Sequence, residues 1–131
     1  MNIVFGEEQR AEIADKHITL ELDTLRLVKD GIPVEGAKDI TIYGVIGPGD
    51  IPVMSLPGID KMVELHEGLL RNYKLQNWDY CEQALDHLRG QWTVVVDEFY
   101  KQLSHRIVDL KIDTPKDWTP VLDKEESGIA S

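Results

Sequence analysis

The chain has 131 residues, 14 basic against 24 acidic, for a formal net charge of −10. That length supports one ordinary core or two small units sharing one, and the acidic excess argues against nucleic acid and anionic membrane surfaces as partners. No apolar run approaches the ~20 residues a membrane span needs. No signal-peptide pattern opens the sequence, and the single cysteine, Cys81, has no partner for an internal disulfide, so a cytoplasmic setting is expected.

Taken in order, Asn2-Ile3-Val4-Phe5 closed by Gly6 reads as a short buried strand. Residues 7–14 (EEQRAEIA) are helix-prone, with acids in the first turn where the helix dipole favours them. From Ile18 the period becomes two: Ile18, Leu20 and Leu22 share one side, and Thr19, Glu21 and Asp23 share the other. This half-buried strand is expected to run to about Val28. Lys29-Asp30-Gly31 signals a turn, Gly36 closes a long hairpin loop, and Ile40, Ile42, Gly44 and Ile46 mark the returning strand.

Residues 47–58 (GPGDIPVMSLPG) hold three prolines and three glycines and read as a linker. Residues 59–88 then read as a helical hairpin. Ile59, Met62, Val63, His66, Leu69, Leu70 and Tyr73 fall on one helix face. A turn is expected at Asn77-Trp78-Asp79, with Trp78 as the wedge and Asp79 and Glu82 as a capping box for a second helix. That helix would bury Cys81, Ala84, Leu85 and Leu88. After Gly90 a third helix carries Trp92, Val95, Val96, Phe99, Leu103, Ile107 and Leu110 as its buried stripe. Thr114-Pro115 and Thr119-Pro120 end regular structure, and residues 125–131 form a polar tail expected to be mobile.

These segments, in this order, resemble consecutive parts of a class III adenylate/guanylate cyclase of bacterial type. NIVFGEEQRAEIAD, LELDTLRLV and ITIYGVIG look like the end of its catalytic domain. Residues 59–124 resemble the helical extension that follows, through Leu70, Tyr73, Trp78-Asp79, Ala84, Arg106, Pro115, Asp117-Trp118 and Val121. His66 stands where that family usually has an apolar residue, and Leu103 where it often has tyrosine. The resemblance implies that the family's metal-binding aspartates and its asparagine–arginine pair lie upstream of the segment matching Asn2. It also implies that a hairpin lysine contacts nucleotide phosphates in some members. Here Lys29 (after Val28) and Lys38 (after Val34-Glu35-Gly36-Ala37) are the candidates for that contact, beside the plainer expectation of solvated hairpin lysines.

The remaining candidates are structural. His17, His66, His87 and His105 give no close pair of helical ligands, and His66 on an apolar face is expected to be a hydrogen-bonded core residue. Gly47-Pro48-Gly49-Asp50 lacks the Gly-Lys-Ser/Thr ending of a phosphate loop. Ser104 and His105 are helix neighbours that point apart.

The expected fold class is α+β. A small β-α-β-β unit (1–46) and a Pro/Gly linker (47–58) precede a three-helix, tetratricopeptide-like tail (59–124). The expected function is a non-catalytic, cyclase-derived module that binds protein, without cofactor or metal. Its partner would be a second copy joined through unpaired strand edges of the β-unit, or a cyclase catalytic domain. The alternatives are one half of a composite cyclase acting on ATP or GTP, and a free-standing helical adaptor.

Overall fold

Alternation of apolar and polar residues builds a five-stranded sheet in the computed structural model, which describes residues 3–51 and 53–125. The strands are β1 (Ile3–Phe5), β2 (Ile18–Lys29), β3 (Ile32–Pro33), β4 (Ile40–Ile46) and β5 (Val121–Glu125). Their order is β1-β4-β2-β3, with β5 also paired to β2. The pairings among β1 to β4 are antiparallel, and β5 runs parallel to β2. The helices are α1 (Gly6–Ile13), α2 (Ile59–Lys74), α3 (Trp78–Leu88) and α4 (Val94–Ile112). The protein is therefore α+β, as its periodicities indicate.

The turn between β2 and β3 follows from its two residues. Asp30 and Gly31 both take left-handed backbone angles (φ 52° and 79°), the combination a two-residue hairpin needs to match strand twist. Gly44 matters for a different reason. A Cβ there would lie 3.1 Å from Val96 Cγ2 and 3.6 Å from Leu22 Cδ1, so its bare backbone lets α4 settle onto the sheet.

One core joins sheet and helices. Leu20, Leu22 and Ile46 meet Leu69, Leu70, Tyr73, Cys81, Leu85, Leu88, Val96, Leu103 and Ile107, all buried. The expected faces of α2 and α3 are the ones buried, Cys81 included. On α4, Tyr100 joins the stripe, Val95 is only half-buried, and buried Trp92 precedes the helix. The 47–58 segment forms two 3-10 turns, Pro48–Asp50 and Val53–Gly58.

Several expectations need correction. The turn between α2 and α3 comes earlier than expected: Gln76 adopts φ 63° and Asn77 is the N-cap, so Trp78 opens α3. Asp79 is thus inside the helix and caps nothing; it binds Lys111 Nζ of α4 at 2.8 Å. Phe5, expected to be buried, is 50% exposed. The tail is not wholly helical, because after α4 the chain returns to the sheet as β5, with Val121 opposite Thr24 and Glu125 opposite Val28. Glu125 belongs to that strand, whereas the start at Asn2 and the 126–131 tail lie outside the described residues. Nor does the tail leave the strand edge unpaired, since β5 hydrogen-bonds β2 directly.

The largest correction is a register slip in β2. Glu21 pairs with Tyr43 but Thr24 pairs with Thr41, so one extra residue sits in β2 between them. Asp23, placed by strict alternation beside Thr19 and Glu21, is instead gripped by Arg106 of α4. The two nitrogens of Arg106 donate to both carboxylate oxygens at 2.8 and 2.9 Å. Inserted residues of this kind re-aim side chains and increase strand twist.

Candidate functional site

Three places in the fold gather side chains that could serve a function: the junction of sheet and helices, a charged cleft, and an uncovered apolar face of the sheet.

The junction is built around His66, which is 1% exposed. Its Nε2 lies 2.6 Å from the Glu21 carbonyl oxygen and its Nδ1 lies 2.8 Å from Tyr100 Oη. A carbonyl only accepts, so Nε2 carries the proton. Nδ1 then accepts from the tyrosine hydroxyl. Burial lowers the imidazole pKa to about 4 and raises the Tyr100 phenol, which keeps both groups neutral. The Trp92 indole N–H points toward the same hydroxyl but falls short of hydrogen-bond geometry, leaving Trp92 Nε1 without a partner among the described residues. His66 is therefore the hydrogen-bonded core residue that its apolar helix face implies. It fastens α2 to β2 on one side and to α4 on the other.

A second group of side chains gathers nearby. Tyr73, Trp78 and Trp118 form one aromatic cluster, with centroids 5.3 Å apart for Tyr73–Trp118 and for Trp78–Trp118. The Trp118 amide donates to the Pro115 carbonyl at 3.1 Å, a turn that brings the indole back onto α2. Arg106 holds Asp23, Val121 starts β5, and Leu70 and Ala84 are core.

The cleft holds about 760 Å³ between α1, α2 and the sheet face bearing Thr19, Glu21 and Tyr43. Its charges are largely satisfied by one another. Arg10 Nε donates to Glu7 at 2.7 Å and its guanidinium lies 5.7 Å over the Tyr43 ring. Lys74 Nζ sits 2.6 Å from Glu21. The hydrogen bond from Arg10 holds the Glu7 carboxyl below its usual range. With three bases (Arg10, Arg71, Lys74) against three acids (Glu7, Glu21, Glu67) lining it, the cleft carries no net formal charge, and His66 already uses both ring nitrogens.

Lys29 and Lys38 are both exposed and lie at the hairpin end of the sheet, away from the cleft. Lys29 ends β2 opposite Ile32, and Lys38 stands in the loop before β4. Ser104 accepts from Arg89 at 3.2 Å, and Cys81 is buried, its thiol pushed up to about 11 by desolvation.

The uncovered face follows from the register. Residues directly opposite on paired strands share a face. Phe5 opposite Ile42, Ile40 opposite Leu25, Leu25 opposite Leu122, and Ile32 opposite Lys29 all continue the face that Leu20 and Leu22 begin. Helices bury that face at Leu20, Leu22 and Ile46, and Ile3, Ile18 and Ile42 pack against the margin of the same core. Beyond them Phe5 is 50% exposed, Ile40 46% and Ile32 69%. Among the described residues, the charges borne by strands on the uncovered part of this face are Lys29 and Lys124; Asp23 lies under α4, paired with Arg106. The carboxylates of Glu21, Asp123 and Glu125 belong to the opposite face. Composition alone misses this patch, because it depends on the slip in β2.

No family model, curated protein or solved structure matches the chain. Among the described residues, no helix is long and apolar enough to cross a membrane.

Proposed function

We propose that this chain is a non-catalytic protein-interaction module related to the closing part of a class III cyclase, working in a cytoplasmic setting. The observation that supports it best is the apolar face left bare at Phe5, Ile40 and Ile32. Contiguous exposed apolar surface marks docking sites, whereas isolated exposed apolar residues mean little. A helical extension fastened by His66, Arg106 and β5 gives such a face a rigid backing.

Two measurements test it. With ATP or GTP and manganese, the chain should form no cyclic nucleotide above a no-protein control. Product that disappears when this chain is mutated would refute the non-catalytic assignment. The variant Ile40→Lys should keep the wild-type melting temperature within a few degrees, because a docking face contributes little to folding. A loss of cooperative folding would show Ile40 to be core and remove the docking surface.

A further inference from the structure

We infer that the bare face is closed by a second copy of the same chain, the two sheets packing face to face about a two-fold axis near Ile40 and Leu25. This inference rests on the docking role proposed above and names its occupant.

Edge-to-edge pairing is poorly provided for. Along residues 24–28, β5 occupies the edge of β2. The outer edge of β1 spans only three residues, and the Phe5 amide on it donates to Gln9 Oε1 of α1 at 3.0 Å, while the other edge strand, β5, carries the charges of Asp123, Lys124 and Glu125. Short, capped edges discourage strand addition. Face packing needs no free edge, and aligned sheets pack about 10 Å apart through interdigitating side chains.

Charge selects a second copy of this face over other surfaces of the same molecule. Two chains of net charge −10 repel wherever carboxylates meet. On the uncovered part of this face the strands carry no carboxylate, Asp23 being paired with Arg106 under α4, so two copies approach here with least repulsion. A closed two-fold contact is also the commonest solution for self-association.

Area sets the strength. Phe5, Ile32 and Ile40, with half-exposed Leu25, Leu27 and Leu122, offer roughly 500 Å² per copy, or about 1,000 Å² in all. That is the low end of specific interfaces, the range of weak and reversible association.

Sedimentation of the full chain from micromolar to submillimolar concentration tests this. The mass should climb from 14.9 kDa toward twice that value. Both Ile40→Lys and Ile32→Lys should weaken the association at least about tenfold while the chain stays folded. A single-chain mass throughout, with both variants folded, overturns the second copy and leaves the docking face for another partner. Association unchanged by both variants overturns it as well, by placing the contact elsewhere. Unfolding of the variants would defeat the docking role itself.

Discussion

Lowering the pH from 7 to 5 should weaken the fold through His66, and the size of the effect follows from its site. The imidazole is 1% exposed, donates to the Glu21 carbonyl and accepts from Tyr100, and its pKa falls to about 4. An unfolded histidine titrates near 6.5. Because the folded value is the lower one, the unfolded chain binds more protons between the two. The contribution is present in full above pH ~6.5 and drains away as pH falls toward 4. A gap of about 2.5 units corresponds to roughly 3 kcal/mol in total, of which about 2 kcal/mol is lost between pH 7 and 5. The cause is burial: a charged imidazole would lose its hydration in this site, and its bond to the Glu21 carbonyl offsets only part of that cost.

Urea unfolding at pH 7 and pH 5 measures the loss, and His66→Gln supplies the comparison. The variant keeps an amide able to donate to Glu21 but cannot titrate. Its stability should therefore change by about 2 kcal/mol less than that of wild type between the two pH values. The other three histidines are common to both proteins and cancel. An NMR titration of the His66 ring gives the same quantity directly. Equal pH dependence of wild type and His66→Gln, or a ring that titrates near 6.5 in the folded protein, would refute the buried, doubly bonded assignment.

Further outcomes follow from the contacts. Trp78→Ala should cost about 3 kcal/mol, because it strips a partner from both Tyr73 and Trp118; a melting temperature within a degree or two of wild type would show the cluster to be inert. Arg106→Met should cost about 2 kcal/mol or more by leaving the half-buried Asp23 carboxylate unpaired. The double variant with Asp23→Asn should recover part of that loss, and strict additivity would mean that the pair is not coupled. Deleting residues 120–131 should expose the β2 edge and speed hydrogen exchange at the Thr24–Val28 amides; unchanged exchange would mean that β5 contributes no protection.

The helices were legible because their signal is redundant. Seven apolar-face positions on α2 and four on α3 repeat one period, so a turn misplaced by a residue or two still buries the same side chains. That misplacement had a local cause. Asp79 followed by Glu82 has the spacing of a capping box, but Gln76 takes the left-handed bend and makes Asn77 the cap, so the acids bind Lys111 instead. Strand β5 was hidden because Val121-Leu122-Asp123-Lys124-Glu125 holds only two apolar residues. Its pairing is a backbone matter that side-chain periodicity does not record, and charged residues are usual on an edge strand.

The extra residue in β2 did leave a trace. Apolar residues fall at even positions through Ile18, Leu20 and Leu22, then at odd positions Leu25 and Leu27. A regular strand would turn the second pair to the opposite face. The slip between Glu21 and Thr24 restores them to the first face, which is why that face stays apolar from Ile18 to the hairpin. The same slip frees Asp23 to meet Arg106, one residue beyond Leu22 and two beyond the carbonyl that receives His66. Attachment of the helices and the apolar overhang beyond them thus share a cause. The helices grip β2 where its register changes, and the apolar parity set by that change runs on past their reach. A single deletion in the Leu22–Thr24 stretch would be expected to strike both features, releasing Asp23 from Arg106 and turning Leu25 and Leu27 toward the face that carries Arg26.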